Sequence, residues 1–176
     1  MQPRDWPAEI HRELAAAGVG IVGYVPDAGH KRLIEMCQAD RRMRAVVLTT
    51  EEEGIGLAAG AWLGGDKSVL LMQSSGVGNV INALGLLKTC RFPLVMIVTM
   101  RGQPGEFNSW QVPMGEGTPA VFEAMGVEVK TVLDANDASS TVKAFLREAF
   151  ADGRGIAVLI AQRVIGIKSF EEQASK

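Results

Sequence analysis

The chain has 176 residues, with 18 Lys and Arg against 20 Asp and Glu, for a formal net charge of −2. Hydrophobic residues make up 47% and charged residues 22%, which excludes an intrinsically disordered chain, and no basic stripe marks a nucleic-acid binder. No apolar run reaches the ~18 residues of a membrane span, so the expectation is a cytoplasmic protein with one domain over 1–168 and a polar tail over 169–176.

Trp6 to Ala17 reads as a helix, with Ile10 and Leu14 four apart and Gly18 closing it. Val19 to Val25 reads as a buried strand, broken by Pro26-Asp27-Ala28-Gly29. Leu33, Ile34, Met36 and Cys37 suit a helix to about Ala39, and Ala45 to Leu48 a second strand. Thr49-Thr50 introduce a helix through Leu63, ended by Gly64-Gly65-Asp66. Ser68 to Met72 is a third strand, Gly76 to Cys90 an apolar helix, and Leu94 to Thr99 a fourth strand. Residues 101–117 read as a loop, and Thr118-Pro119 open a short helix to Met125. Val127 to Thr131 is a strand, Ala138 to Ala151 a helix, and Ile156 to Ile160 the last strand.

Six strands alternating with helices predict an α/β fold, a doubly wound, mainly parallel sheet with helices on both faces. Runs such as VLLM and PLVMIV are apolar throughout, as strands covered on both faces are. Ligands bind such sheets at the carboxyl ends of the strands, which here carry PDAGH, TTEEEG, QSSGVGN, the 101–117 loop and the turn after Ile160. Cys37 and Cys90 both fall in apolar helical patterns and read as buried free thiols. His11 reads as solvent-facing, and the two histidines form no metal cluster.

TTEEEGIGLAAGAWLGG is the most informative segment. Thr50 and Glu53 have capping-box spacing, and acids in a first turn complement the helix dipole. Neither fact explains why the rest of this helix carries no charge. It reads as buried on all sides, by its own domain or by a partner, and a carboxylate at its mouth would have its neutral form favoured. In QSSGVGN, Gly76 and Gly78 either cradle an anion or simply make a tight strand-to-helix turn. The helix after it is uncharged from Val77 to Leu87, which marks an interface. Ser74 and Ser75 lack the context of a hydrolase nucleophile. His30 follows PDAG and reads either as a plain turn residue or as a group at the ligand edge. The 101–117 loop carries Arg101, Glu106, Asn108, Trp110 and Gln111.

Together these motifs resemble the pyrimidine-binding (PYR) domain of thiamine diphosphate enzymes. The resemblance rests on Glu51 with Gly60 nine positions on, then VLLMQSSGVGNVINALGLL and FPLVMIVTMRG. QSSGVGN, RGQPGE and QVPMG, with the turn Val25-Pro26-Asp27, make it most similar to the sulfopyruvate decarboxylase alpha subunit and phosphonopyruvate decarboxylase family. The resemblance implies that Glu51 bonds N1′ of the cofactor's aminopyrimidine and activates it. It implies that Pro26, Asp27, Ser75, Gly76 and Asn79 also meet the cofactor. Asp27, His30, Gln73, Ser74, Arg101 and Gln111 become candidates for an anionic 2-oxo acid substrate. No GDG motif occurs, so the resemblance implies a separate diphosphate-binding subunit of similar size holding most of the Mg²⁺ contacts, with no metal site in this chain. At least two copies of each chain follow, as α2β2 or higher. Two other readings stay open, a carboligating subunit of the acetolactate synthase kind and a non-catalytic module that kept the fold.

Overall fold

The computed structural model describes residues 4–166; the expected tail at 169–176 lies outside them. Helix α1 spans Trp6–Ala16, β1 Val19–Tyr24, α2 Lys31–Ala39, β2 Arg44–Val47, α3 Glu51–Leu63, β3 Lys67–Gln73 and α4 Val77–Cys90. They are followed by β4 Leu94–Thr99, α5 Val112–Ala124, β5 Glu128–Val132, α6 Ala138–Asp152, β6 Gly155–Ile160 and a short α7, Gln162–Ile165. The strands form one sheet in the order β2-β1-β3-β4-β6-β5, and every pairing is parallel. The doubly wound α/β fold expected from the alternation is the fold observed.

Strand β4 lies inside the sheet and every one of its residues is buried. Its side chains alternate between two cores. Val95 and Ile97 join the core under α1, α2 and α6. Leu94, Met96 and Val98 join the core under α3, α4 and α5. Each such side chain contributes about 1.5–3 kcal/mol by leaving water, which is why an unbroken apolar run specifies an interior strand. At the other end of the scale, α1 is amphipathic. It starts where Asp5 accepts a hydrogen bond from the Ala8 amide and turns Trp6, Ile10 and Leu14 inward.

Several local expectations are corrected. Residues 112–117 are helix rather than loop. Pro113 stands in the first turn of α5, where its missing N–H costs nothing. Gly115 then packs so closely that a Cβ there would lie 2.1 Å from the Arg101 carbonyl oxygen. A run that reads as loop-like by composition is helix because only glycine permits this approach. Cys90 is exposed, on the outer side of the last turn of α4, while Cys37 is buried. Burial pushes the Cys37 thiol up to about 12. His11 is not solvent-facing; it lies 3.2 Å from Asp40 with 14% of its side chain exposed. The capping box is not made. Glu53 reaches one residue past the N-cap and accepts from the Thr49 amide at 2.8 Å, and the Thr50 side chain makes no capping bond.

Helices α3 and α4 are buried on one side only. Gly54, Ile55, Ala58 and Ala61 of α3 face inward, as do Val80, Leu84 and Leu87 of α4. Trp62, Leu63, Ile81 and Leu86 are exposed. No helix among the described residues is long and apolar enough to cross a membrane.

Candidate functional site

The chain runs outward from β1 to β2 and then returns to the other side of β1 as β3. The carboxyl ends of β1 and β3 therefore diverge and leave a crevice, the usual ligand position in such sheets. Asp27, just after β1, and Gln73, the last residue of β3, close across it. The Gln73 Nε2 group donates to Asp27 Oδ1 at 2.8 Å. Thr99, at the end of β4, donates through Oγ1 to Asp27 Oδ2 at 2.6 Å, and the Gly29 amide reaches the same oxygen at 3.1 Å. Ser75 Oγ donates to Gln73 Oε1 at 2.8 Å. Burial pushes the Asp27 carboxyl up, but the donors from Thr99, Gln73 and Gly29 and the nearby His30 ring outweigh it and hold the group below the usual carboxylate range.

Next to this chain of polar groups stands Glu51, the first residue of α3, only 7% exposed. Asn79, in the first turn of α4, donates from Nδ2 to Glu51 Oε2 at 2.8 Å. The other oxygen, Oε1, takes no hydrogen bond among the described residues and lies over Gly76, where a Cβ would sit 2.1 Å from it. Helix α3 reaches this position because Gly54 lets it settle on β3; a Cβ there would be 2.5 Å from Leu70. The geometry thus gathers Glu51, Gly76 and Asn79 into one cluster, and Asp27, Gln73 and Ser75 into a second. Ser75 and Gly76 join the two.

Arg101 heads a third arrangement. Its guanidinium forks onto Glu106, with Nε to Oε2 at 2.6 Å and a second bond from Nη2 to Oε1. Glu106 also accepts from the amides of Gly102 and Asn108 and from Gln162 Nε2. Gln103 and Gln162 exchange side chain-to-backbone bonds at 3.0 and 2.8 Å. The segment after β4 is therefore clasped to the one after β6. Arg101 is charge-paired rather than a bare anion receptor, and the pairing holds Glu106 down at about 2. Of the three guanidinium nitrogens of Arg101, Nη1 makes no hydrogen bond among the described residues. A cavity of about 30 Å³ opens here, lined by Asp27, Thr99, Arg101, Glu106, Phe107 and Gln162 among others.

The remaining expected site residues lie elsewhere. Ser74 is fully buried and its Oγ accepts from the Arg101 amide at 3.0 Å, a bond between the segments that follow β3 and β4. His30 is also fully buried, with Nε2 donating to the Ile97 carbonyl at 3.0 Å and Nδ1 unpartnered. It stands at the N-cap position of α2 without a side-chain capping bond, its ring turned onto the Ile97 carbonyl of β4, and burial pushes its pKa down. Gln111 is buried with an unpartnered Oε1. Pro26 lines an open recess with Tyr24, Lys31 and Gln38. Thr99 and Gln162 are the residues that sequence reasoning did not select, and Glu106 was named there only as one residue of the 101–117 loop. Each had a signal: a polar residue ending the most apolar strand, the acid of RGQPGE, and a glutamine opening the turn after the last strand.

Comparison with known proteins fits this geometry. Residues 8–114 match the family described as thiamine pyrophosphate enzyme, N-terminal TPP binding domain. The chain is 40% identical over 119 residues to the sulfopyruvate decarboxylase subunit alpha of Methanococcus maripaludis, covering 67% of this chain and 71% of that one. It is 33% identical over 157 residues to the subunit of the same name from Methanothermobacter thermautotrophicus, covering 89% and 95%. A phosphonopyruvate decarboxylase of Streptomyces hygroscopicus is 36% identical over 93% of this chain, which spans 41% of that longer protein. Among solved structures, the 2-oxoglutarate:ferredoxin oxidoreductase of Magnetococcus marinus superposes with a TM-score of 0.72 at 18% identity, over 91% of this chain and 29% of that one.

Proposed function

Because the chain belongs to the family of N-terminal TPP-binding domains of thiamine pyrophosphate enzymes, we propose that it is the pyrimidine-binding subunit of a cytoplasmic thiamine diphosphate-dependent decarboxylase. Its substrate is an anionic 3-substituted pyruvate such as sulfopyruvate. The observation that carries this is the Glu51 carboxyl group, on a residue only 7% exposed, with one oxygen held by Asn79 and the other left without a hydrogen bond among the described residues.

The residues present fit the cofactor. A protonatable pyrimidine nitrogen needs one carboxyl oxygen within reach, and Oε1 is that oxygen. The absence of a side chain at Gly76 keeps the position open. When bound, thiamine diphosphate supplies a carbon that adds to the 2-oxo group and an electron sink for the charge released as CO₂ leaves. Glu51 would hold the ring nitrogen and exchange a proton with it at Oε1. Asn79 keeps the carboxyl from rotating, so the proton is held at one atom. Arg101, steadied by Glu106, retains Nη1 for the second anionic group of the substrate.

The exposed apolar faces of α3 and α4 support a partner subunit that binds diphosphate and Mg²⁺, in an assembly with at least two copies of each chain. The test is CO₂ release by the co-purified complex on sulfopyruvate, phosphonopyruvate and simple 2-oxo acids. Glu51→Gln should lose roughly 10²-fold or more in turnover; a variant as fast as wild type would refute the assigned role.

A further inference from the structure

The amino ends of the strands, opposite the crevice, carry a second concave site. Helices α1 and α6 pack side by side there. Lys143, Ala144, Arg147 and Ala151 recur every three or four positions along α6 and so share one face. With the end of α1 and Lys67, the first residue of β3, that face lines a groove of about 660 Å³. Alanines at 16, 17, 144 and 151 leave the space, and Leu146 and the Phe150 ring give it apolar walls. This is the size of site that takes a small organic ligand. Strand β3 runs from the groove to the crevice, a span of about 20 Å at roughly 3.3 Å per residue. A ligand here is therefore separate from anything bound at Glu51.

The charge of the groove runs against that of the chain. The whole chain has a formal net charge of −2, yet the groove is lined by the cations Lys67, Lys143 and Arg147 and by one acid, Glu13. Glu13 is already engaged, with Lys143 at 3.8 Å on one oxygen and the Ser139 hydroxyl at 3.1 Å on the other. Neither Lys67 nor Arg147 pairs with a carboxylate among the described residues. Lys67 is half-buried. Its ammonium donates to the Ala17 carbonyl at 2.9 Å and stands 5.1 Å from the centre of the Phe150 ring. A carbonyl and a ring fix the position of this charge without neutralising it, and an ammonium has three N–H donors.

We propose that this groove binds an amphipathic organic anion, its apolar body on Leu146 and Phe150 and its carboxylate between Lys67 and Arg147. The inference does not depend on the function proposed above. The ligand is a free small molecule rather than a lipid surface. Leu146 is recessed, at 1% exposure, and none of the exposed large apolar side chains among the described residues lines the groove. A flat bilayer therefore finds nothing to insert and does not reach the floor.

The probe is octanoate, with octanol as its uncharged match. Both are titrated by calorimetry into the full chain, with its partner subunit where the two co-purify. Octanoate should bind at least about tenfold more tightly than octanol, the scale of one hydrogen bond to a charged group. Arg147→Glu should erase that preference. Lys67→Met, which keeps the stem and removes the charge, should reduce it severalfold. Ala144→Trp fills the groove and should abolish binding of both ligands. Octanol bound as tightly as octanoate, or a preference unchanged in Arg147→Glu, overturns the proposal. Binding that survives Ala144→Trp places the ligand elsewhere and overturns it too, as does a wild-type protein that binds vesicles of anionic lipid but no octanoate. Arg147 is exposed and makes no ion pair among the described residues, so Arg147→Glu decides the matter even where Lys67→Met or Ala144→Trp fails to fold.

Discussion

Adding one methyl group at Gly76 separates the stability of this protein from its chemistry. The backbone at Gly76 is ordinary right-handed helix (φ −75°, ψ −14°), so alanine fits it without strain. The new Cβ would lie 2.1 Å from Glu51 Oε1, 2.3 Å from its Cδ and 2.6 Å from its Cγ. Ordinary contact begins at 3.4 Å, so the carboxyl group must move by about 1.3 Å. It is the end of a flexible side chain, and its retreat breaks only the 2.8 Å bond from Asn79. The stability cost is then about 1 kcal/mol, partly offset by the reduced freedom of the unfolded chain. A displacement of about 1 Å at a reacting group costs roughly 10²-fold in rate. Gly76→Ala should therefore melt within about 4 °C of wild type and lose roughly 10²-fold in CO₂ release by the complex. Wild-type turnover would refute the placement of Glu51 over Gly76. Loss of folding would refute the claim that the side chain alone yields.

Two further outcomes follow from the clasp between the segments after β4 and β6. Glu106→Gln leaves the Arg101 guanidinium, 13% exposed, without its counter-charge and should cost about 3 kcal/mol, read as a lower melting temperature. The wild-type clasp is also pH-dependent. The Glu106 carboxyl is held at about 2 against an ordinary 4.5, so its contribution is complete above about pH 4.5 and is lost as pH falls through about 2. Hydrogen exchange at the Gly102 and Asn108 amides, which donate to Glu106, should accelerate across that window beyond the intrinsic rate, and should not in Glu106→Gln. Gly115→Ala differs from Gly76→Ala because backbone stands in its way, with the Arg101 carbonyl oxygen 2.1 Å and its carbon 3.1 Å from the new Cβ. It should destabilise by about 2–3 kcal/mol, measured by urea unfolding; a neutral result would mean that α5 does not rest on β4 as described.

Strands and helices were legible where burial is uniform. Leu94 to Thr99 could only be an interior strand, and its ends are where the sequence put them. The start of α5 was not legible, because glycine and proline suit a loop by composition and a close-packed helix by context, and composition carries no context. Cys90 illustrates the same limit from the other side. Its apolar neighbours are real, but it is the last residue of α4 and stands beyond Leu87, the last buried side chain of that helix.

The residue types at the candidate site were visible as motifs, Glu51 in TTEEEG and Gly76 and Asn79 in QSSGVGN. Their pairing was not. Asp27 and Gln73 stand 46 positions apart and Asp27 and Thr99 stand 72 apart. Only the parallel register of β1, β3 and β4 brings those three strand ends together. Arg101 looked like a free cation for the same reason. Its charge is local information, but whether Glu106 folds back onto it depends on a segment held from the far side by Gln162. Periodicity and apolar runs act over a few residues and were enough to specify the elements and their burial. Which lone pair or N–H faces the crevice depends on contacts between distant segments, and these exist only once the sheet has closed.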